Sequence, residues 1–178
     1  MITVEHSKNL EKKSAAGFVA SVARLVTSVF ERIPHWFIAL LARFSIAAVF
    51  WKSGQTKVEG FAIDLIEGRF TLGIPHFSES AIDLFKDEYK LPFVPPEAGA
   101  LMAATAEHVF PILLLIGLAT RLSSLALLMM TLVIEIFVYP FAYPLHGVWA
   151  VVLLYLMKHG PGPISLDHWL ATRWRQPG

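Results

Sequence analysis

Four stretches of this chain are too long and too apolar for an ordinary water-soluble fold: roughly His35 to Trp51, Glu97 to Ala119, Leu122 to Tyr139 and Leu145 to Met157. A bilayer core about 30 Å thick is crossed by about 20 mostly apolar residues in helical form, and inside it each segment must satisfy its own backbone hydrogen bonds. Composition agrees, because 55% of the residues are hydrophobic and only 16% are charged, against roughly 25% charged in a typical soluble domain. The expected architecture is therefore all-α: a polytopic membrane protein built as a four-transmembrane-helix bundle. Its fourth window is the shortest. Apolar character reaches back through "VYPFAYP", but Pro140 and Pro144 interrupt a continuous helix and place that stretch at the membrane interface.

The flanking sequence divides into three parts. Residues 1–34 form a cytoplasmic or interfacial segment, 35–160 the four-helix membrane domain with an outer loop at 61–96, and 161–178 an interfacial tail. In the first part Phe18, Val22, Leu25, Val26, Val29 and Ile33 recur at helical spacing. Arg24, Glu31 and Arg32 interrupt the run, so it reads as an amphipathic helix on the membrane surface rather than a cleavable signal peptide. Lysine and arginine set the orientation. Lys8, Lys12, Lys13, Arg24, Arg32, Arg121, Lys158, Arg173 and Arg175 fall on one side, and Lys52, Lys57, Arg69, Lys86 and Lys90 on the other. Both termini are thus expected in the cytoplasm, with the protein multi-pass in a bacterial inner membrane. Within the outer loop "SESAIDLFKDEY" predicts a short amphipathic helix capped by Ser80, with Ile82, Phe85 and Tyr89 on one side. We read this loop as a lid over the outer mouth, the plain alternative being a solvated connection.

With no cysteine anywhere, the chain offers no disulfide, no thiolate metal site and no thiol relay. It also shows no strong internal repeat, no glycine-rich phosphate loop, no nucleophile elbow and no zinc-type histidine spacing. What remains is the set of ionisable residues at membrane depth. Arg43 sits near the middle of the first span, and Glu107 lies about 15 Å into the second at 1.5 Å per residue. Two unpaired charges at that depth are costly, so Arg43 and Glu107 are expected to pair. The bond would either fix helix register alone or serve chemistry as well. Glu135 ends a polar stripe, Ser124, Leu128, Thr131 and Glu135, at steps of four, three and four. No strong basic partner is expected at its depth, which makes it a candidate proton donor or acceptor, or an acid reaching outer water.

Histidines and aromatics complete the candidate set. His108 follows Glu107 but points about 100° away around the helix, and His146 begins the fourth span on the outer side. Axial haem ligation by a histidine pair is not expected, and neither is a metal site or a nucleic-acid partner. Trp51, Tyr139, Tyr143 and Trp149 form an aromatic belt that gathers near Glu135 and His146 at the outer end. Aromatic walls with a few hydrogen-bonding groups suit a quinone-like ring. Gly99, Ala100, Ala103 and Ala104 on the second span, with Ala39 and Ala47 on the first, let backbones approach closely, and Pro111 frees a carbonyl beside Glu107.

The strings "FWKSGQTKVEGF", "LFKDEYKLPFVPPEAGALMAATAEHVFPILLLIGLATR", "MTLVIEIFVYP" and "HGVWAVVLLYLMKHGPGPISLD" together resemble the DoxX family of bacterial four-helix membrane proteins. The likeness runs from about Arg43 to Asp167. On the family pattern stand Arg43, Gly54, Lys57, Glu107, Gly117, Arg121 and the Gly160–Pro161 turn, while the N-terminal extension departs from shorter members. The resemblance implies a subunit of a quinone-linked membrane oxidoreductase, since the family takes its label from such an enzyme. Relatives beside genes for small metal-binding peptides imply the alternative, a non-enzymatic partner in stress defence or in maturation and export of a periplasmic peptide. Under the first reading Glu107, Arg43 and Glu135 carry the chemistry, and His146, Tyr139, Trp51, Lys57 and His108 bind the substrate. A quinone is then the expected cofactor, the bilayer and a protein partner or second copy the expected partners. A minimal ion or solute carrier is a third possibility.

Overall fold

The computed structural model describes residues 17, 19–64 and 68–174. Phe18 of the N-terminal stripe, Lys8, Lys12, Lys13 and Arg175 lie outside the described residues. The chain divides between Ile38 and Ala39 into two compact units. In the first, helix α1 (Val19–Phe30) carries exposed Val22, Leu25, Val26 and Val29. The chain then turns through Pro34 into α2 (His35–Gln55), which continues into the second unit.

That second unit is mainly helical. After α2 come β1 (Val58–Asp64), β2 (Arg69–Phe77), α3 (Glu79–Asp83) running into a π-helical turn (Leu84–Tyr89), α4 (Pro96–Ile116), α5 (Thr120–Phe137), α6 (Tyr143–His159) and α7 (Leu166–Trp174). Three helices, α2, α4 and α5, are long and apolar enough to cross a membrane. The sequence windows for these spans stand at their observed positions. Proline sets the helix starts: Pro96 opens α4 and Pro144 stands in the first turn of α6, where a missing N–H costs nothing. Ile46, Ala47 and Phe50 of α2 meet Leu114 of α4, Leu127 and Leu128 of α5, and Leu153 and Leu156 of α6 in one core. The expected stripe on α5 faces inward, with Ser124 and Thr131 fully buried.

One element was not expected. Strands β1 and β2 pair as an antiparallel β-hairpin, with Phe61 opposite Leu72, Ile63 opposite Phe70, and a register shift between Glu59 and Phe61. The period-two signal is present, since Phe70, Leu72 and Ile74 alternate with Thr71, Gly73 and Pro75. Glycines and a proline that ordinarily mark turns obscure it. The short helix expected within "SESAIDLFKDEY" exists but begins earlier, at Glu79 after Ser78. Ser80 does not cap it; the Ser80 and Ser78 hydroxyls are 2.7 Å apart, and Ser78 also donates to Glu59 at 2.7 Å. Phe85 is buried and packs against Tyr89 at 4.5 Å between ring centroids with the rings tilted, so these two apolar side chains meet as their spacing required.

Candidate functional site

Arg43 and Glu107 do not pair. The Arg43 guanidinium donates through Nε to the Leu114 carbonyl at 2.7 Å, through Nη2 to Leu115 at 2.5 Å, and through Nη1 to Ile164 at 2.7 Å and Pro161 at 3.1 Å. These carbonyls belong to the last turn of α4 and the segment before α7. A helix C-terminus leaves carbonyls without partners and carries partial negative charge, so a buried cation is well placed there. The expected match in depth fails: the Glu107 Cβ stands against Gly54, about 16 Å along α2 from Arg43 at 1.5 Å per residue, and Arg43 is level with the end of α4 instead. Gly117 makes room for it: with φ of +68° it ends α4 in the left-handed region, and a Cβ there would stand 3.0 Å from the guanidinium carbon and 2.5 Å from Ser165. Across the same turn, the Asp167 carboxylate accepts from the N–H groups of Ala119 and Thr120 at 2.8 and 2.9 Å. One cation and one anion thus tie down the α4–α5 turn.

Glu107 instead finds Lys57, whose Nζ lies 2.7 Å from Oε2. Lys57 is 2% and Glu107 3% exposed, so both charges are removed from solvent and need each other. Ser53 donates to Oε1 at 2.9 Å and stands 3.3 Å from the ammonium, completing the cluster. The α2 and α4 backbones come close here because of Gly54, where a Cβ would meet the His108 ring at 2.9 Å and the Glu107 Cβ at 3.0 Å. That contact also revises the separation expected between Glu107 and His108: different azimuths on α4 still bring both against one glycine.

His108 is held in a chain of hydrogen bonds. The Ile63 N–H donates to the Gln55 carbonyl oxygen at 2.9 Å, which leaves the Gln55 amide nitrogen to donate to His108 Nε2 at 2.9 Å. Nδ1 then carries the proton and donates to the Ala104 carbonyl at 2.7 Å. Trp51 closes the group: its indole N–H donates to the Ile63 carbonyl at 2.9 Å, and its ring meets the imidazole edge-on at 5.1 Å. Beside this group a trough of about 590 Å³ runs between α2, α4 and the hairpin. Phe44, Ala47 and Ile112 line its apolar length, and Trp51, Gln55 and Thr56 its hairpin end.

The remaining candidates gather separately. Glu135 has a partner after all, because His146 Nδ1 lies 2.5 Å from its Oε2. A short connection makes α5 and α6 antiparallel neighbours, so a residue one turn before the end of the first is level with one a turn into the second. His146 also packs against Trp149 at 4.9 Å. Tyr139 bonds Glu88 and meets Tyr89 edge-on at 6.1 Å. Burial, with the negative charges of Glu107 and Glu88, pushes the Tyr89 phenol up to about 12. For Tyr139 the hydrogen bond to Glu88 leads, with burial and Tyr89 adding, and the result is again about 12. Of the expected site residues, then, Glu107, Lys57, His108 and Trp51 come together, Glu135 and His146 form a second pair, Tyr139 stands with Tyr89, and Arg43 is apart. Ser53, Gln55 and Tyr89 were missed. The polar run "KSGQTK" closing the first span was the available signal for the first two.

Apolar helices around a buried, internally paired ionic cluster define a polytopic helical membrane protein with a polar site inside the bundle. The chain belongs to the DoxX family, whose sequence profile matches residues 38–140. No curated protein and no solved structure matches it. Among the described residues no three histidine or acidic side chains are grouped to hold a metal ion.

Proposed function

We propose that this protein is a quinone-interacting subunit of a membrane oxidoreductase system, held in a bacterial inner membrane by four spans with both termini cytoplasmic. The fourth span is α6. Its 17 residues cover about 26 Å at 1.5 Å per residue, and it returns antiparallel to α5 and contributes Leu153 and Leu156 to the shared core. The hairpin and the helical segment after it then lie outside, as a lid beside the trough.

One observation carries the functional reading: the apolar trough ends at Trp51 and Gln55, the two side chains that contact His108, immediately beside the buried Glu107–Lys57 pair. Its volume lies within the roughly 300–1,000 Å³ usual for small-molecule sites, and an apolar length with a polar end suits a tailed ring. A bound quinone would accept electrons and protons there. This chain's part is to wall the ring with Trp51, to hold a hydrogen-bonding end at Gln55 and Thr56, and to keep an acid, Glu107, and an imidazole, His108, close by for protons. With no cysteine in the chain, thiol chemistry on the electron side falls to a partner protein.

A titration tests this. The purified protein in nanodiscs is titrated with a short-chain quinone while tryptophan fluorescence is followed, in the wild type, Trp51→Phe and Glu107→Gln. Saturable quenching that largely disappears in Trp51→Phe and needs more quinone in Glu107→Gln is the expected result. Quenching that never saturates, or that is indifferent to Trp51, overturns the reading and leaves the cluster as a structural lock.

A further inference from the structure

We infer that the β1–β2 hairpin is a membrane-interface element, its apolar face covered by the lipid that surrounds α2. The register decides which residues share that face. Phe61 opposes Leu72 while Ala62 opposes Thr71, so side chains alternate between two surfaces. Ala62, Asp64, Arg69 and Thr71 line the trough. Phe70 and Leu72 alternate with them along β2, Ile74 follows within the register shift, and the three are 61, 79 and 88% exposed. A two-stranded hairpin in water would not be expected to present three large apolar side chains together.

Position decides what covers them. Helix α2 has 21 residues, about 31 Å at 1.5 Å per residue, which matches the hydrocarbon core and brings its last turn to the headgroup boundary. Both backbone groups of Ile63 are bound to that turn, the N–H to Gln55 and the carbonyl to Trp51. Strand β1 therefore folds back beside the end of α2 instead of rising into water. Below it the trough is walled by Phe44, Ile112 and Leu115, each themselves exposed on the bundle surface or half so. The hairpin roof is thus continuous with the lipid-facing wall of the bundle. Lys52, in an ion pair with Asp64 at 3.6 Å, stands where headgroups meet the protein. This inference uses the membrane class of the protein and not the quinone reading, so the two stand or fall separately.

The absence of cysteine makes a site-specific test clean. Leu72→Cys, Ile74→Cys and, as a water-facing reference, Asp87→Cys are labelled with an environment-sensitive fluorophore in nanodiscs holding one copy of the full chain. Circular dichroism confirms the fold of each variant. Phospholipid spin-labelled near the headgroup and aqueous iodide serve as the two quenchers. The expected result is strong lipid quenching at positions 72 and 74 with severalfold weaker iodide quenching than at 87. Iodide quenching equal to that at 87 would put the face in water. Shielding from both quenchers would assign it to protein, a second copy if it appears only when two chains share a disc. Either result overturns the inference.

Discussion

At the residue scale, the two buried charges follow different rules. Arg43 is compensated by carbonyl dipoles, Glu107 by a full opposite charge. Breaking a buried pair leaves its survivor uncompensated and costs about 3–5 kcal/mol, whereas apolar residues of similar size in both places are often neutral. Lys57→Met should therefore destabilise the protein by about that much, with the double variant Lys57→Met, Glu107→Leu recovering most of the loss. Unfolding in detergent checks the cycle; equal stability of the double and single variants would mean the pair is not the unit. The tyrosines give a pH prediction. Tyr89 and Tyr139 lose their protons at about 12 in the folded chain against 10.0 ordinarily, so the folded state holds these protons more tightly. Their stabilising contribution is complete below about 10 and is lost as pH rises through about 12. Phenolate absorbance, with Tyr89→Phe and Tyr139→Phe to assign the signals, should show these two tyrosines titrating late, and Glu88→Gln should move Tyr139 back toward the ordinary value.

Among the elements, the α4–α5 turn is the most constrained. Gly117 has a positive φ and lies against Arg43 and Ser165, so Gly117→Ala combines backbone strain with a displaced guanidinium and should cost more than about 1 kcal/mol. Asp167 supplies the N-cap that α5 lacks in its own sequence, because Ala119 stands at that position without a side-chain acceptor. Asp167→Ala should lose about 0.5–2 kcal/mol, measured by thermal unfolding, with hydrogen exchange rising first at the start of α5. Helix existence was legible here because 3.6-residue periodicity and proline or glycine punctuation act locally. The hairpin was not, because only β1 is half-buried while β2 stays exposed up to its last residue, and Gly60, Gly68 and Gly73 resemble turn residues when read alone.

For the whole molecule, the topology makes a prediction that the cysteine-free chain tests directly. With four spans, Lys158→Cys at the end of α6 lies on the opposite side from Asp87→Cys. An impermeant maleimide added to intact cells should label the second and spare the first until the membrane is opened. Labelling of both from one side would leave α6 as an interfacial helix and the spans at three.

Apolar length, charge distribution and proline placement determined by themselves that this chain enters a membrane and roughly where its long apolar helices run, and they singled out Glu107, His108 and Trp51, while the family resemblance added Lys57. All but the last follow from how a short segment meets water, lipid or its own backbone. Only the tertiary structure decided the partners: Lys57 rather than Arg43 for Glu107, backbone carbonyls for Arg43, His146 for Glu135. Partner choice depends on how closely helices approach at Gly54 and Gly117 and on how far long side chains reach from their Cα atoms. Neither quantity is a property of a segment, so no reading of segments one at a time reaches it.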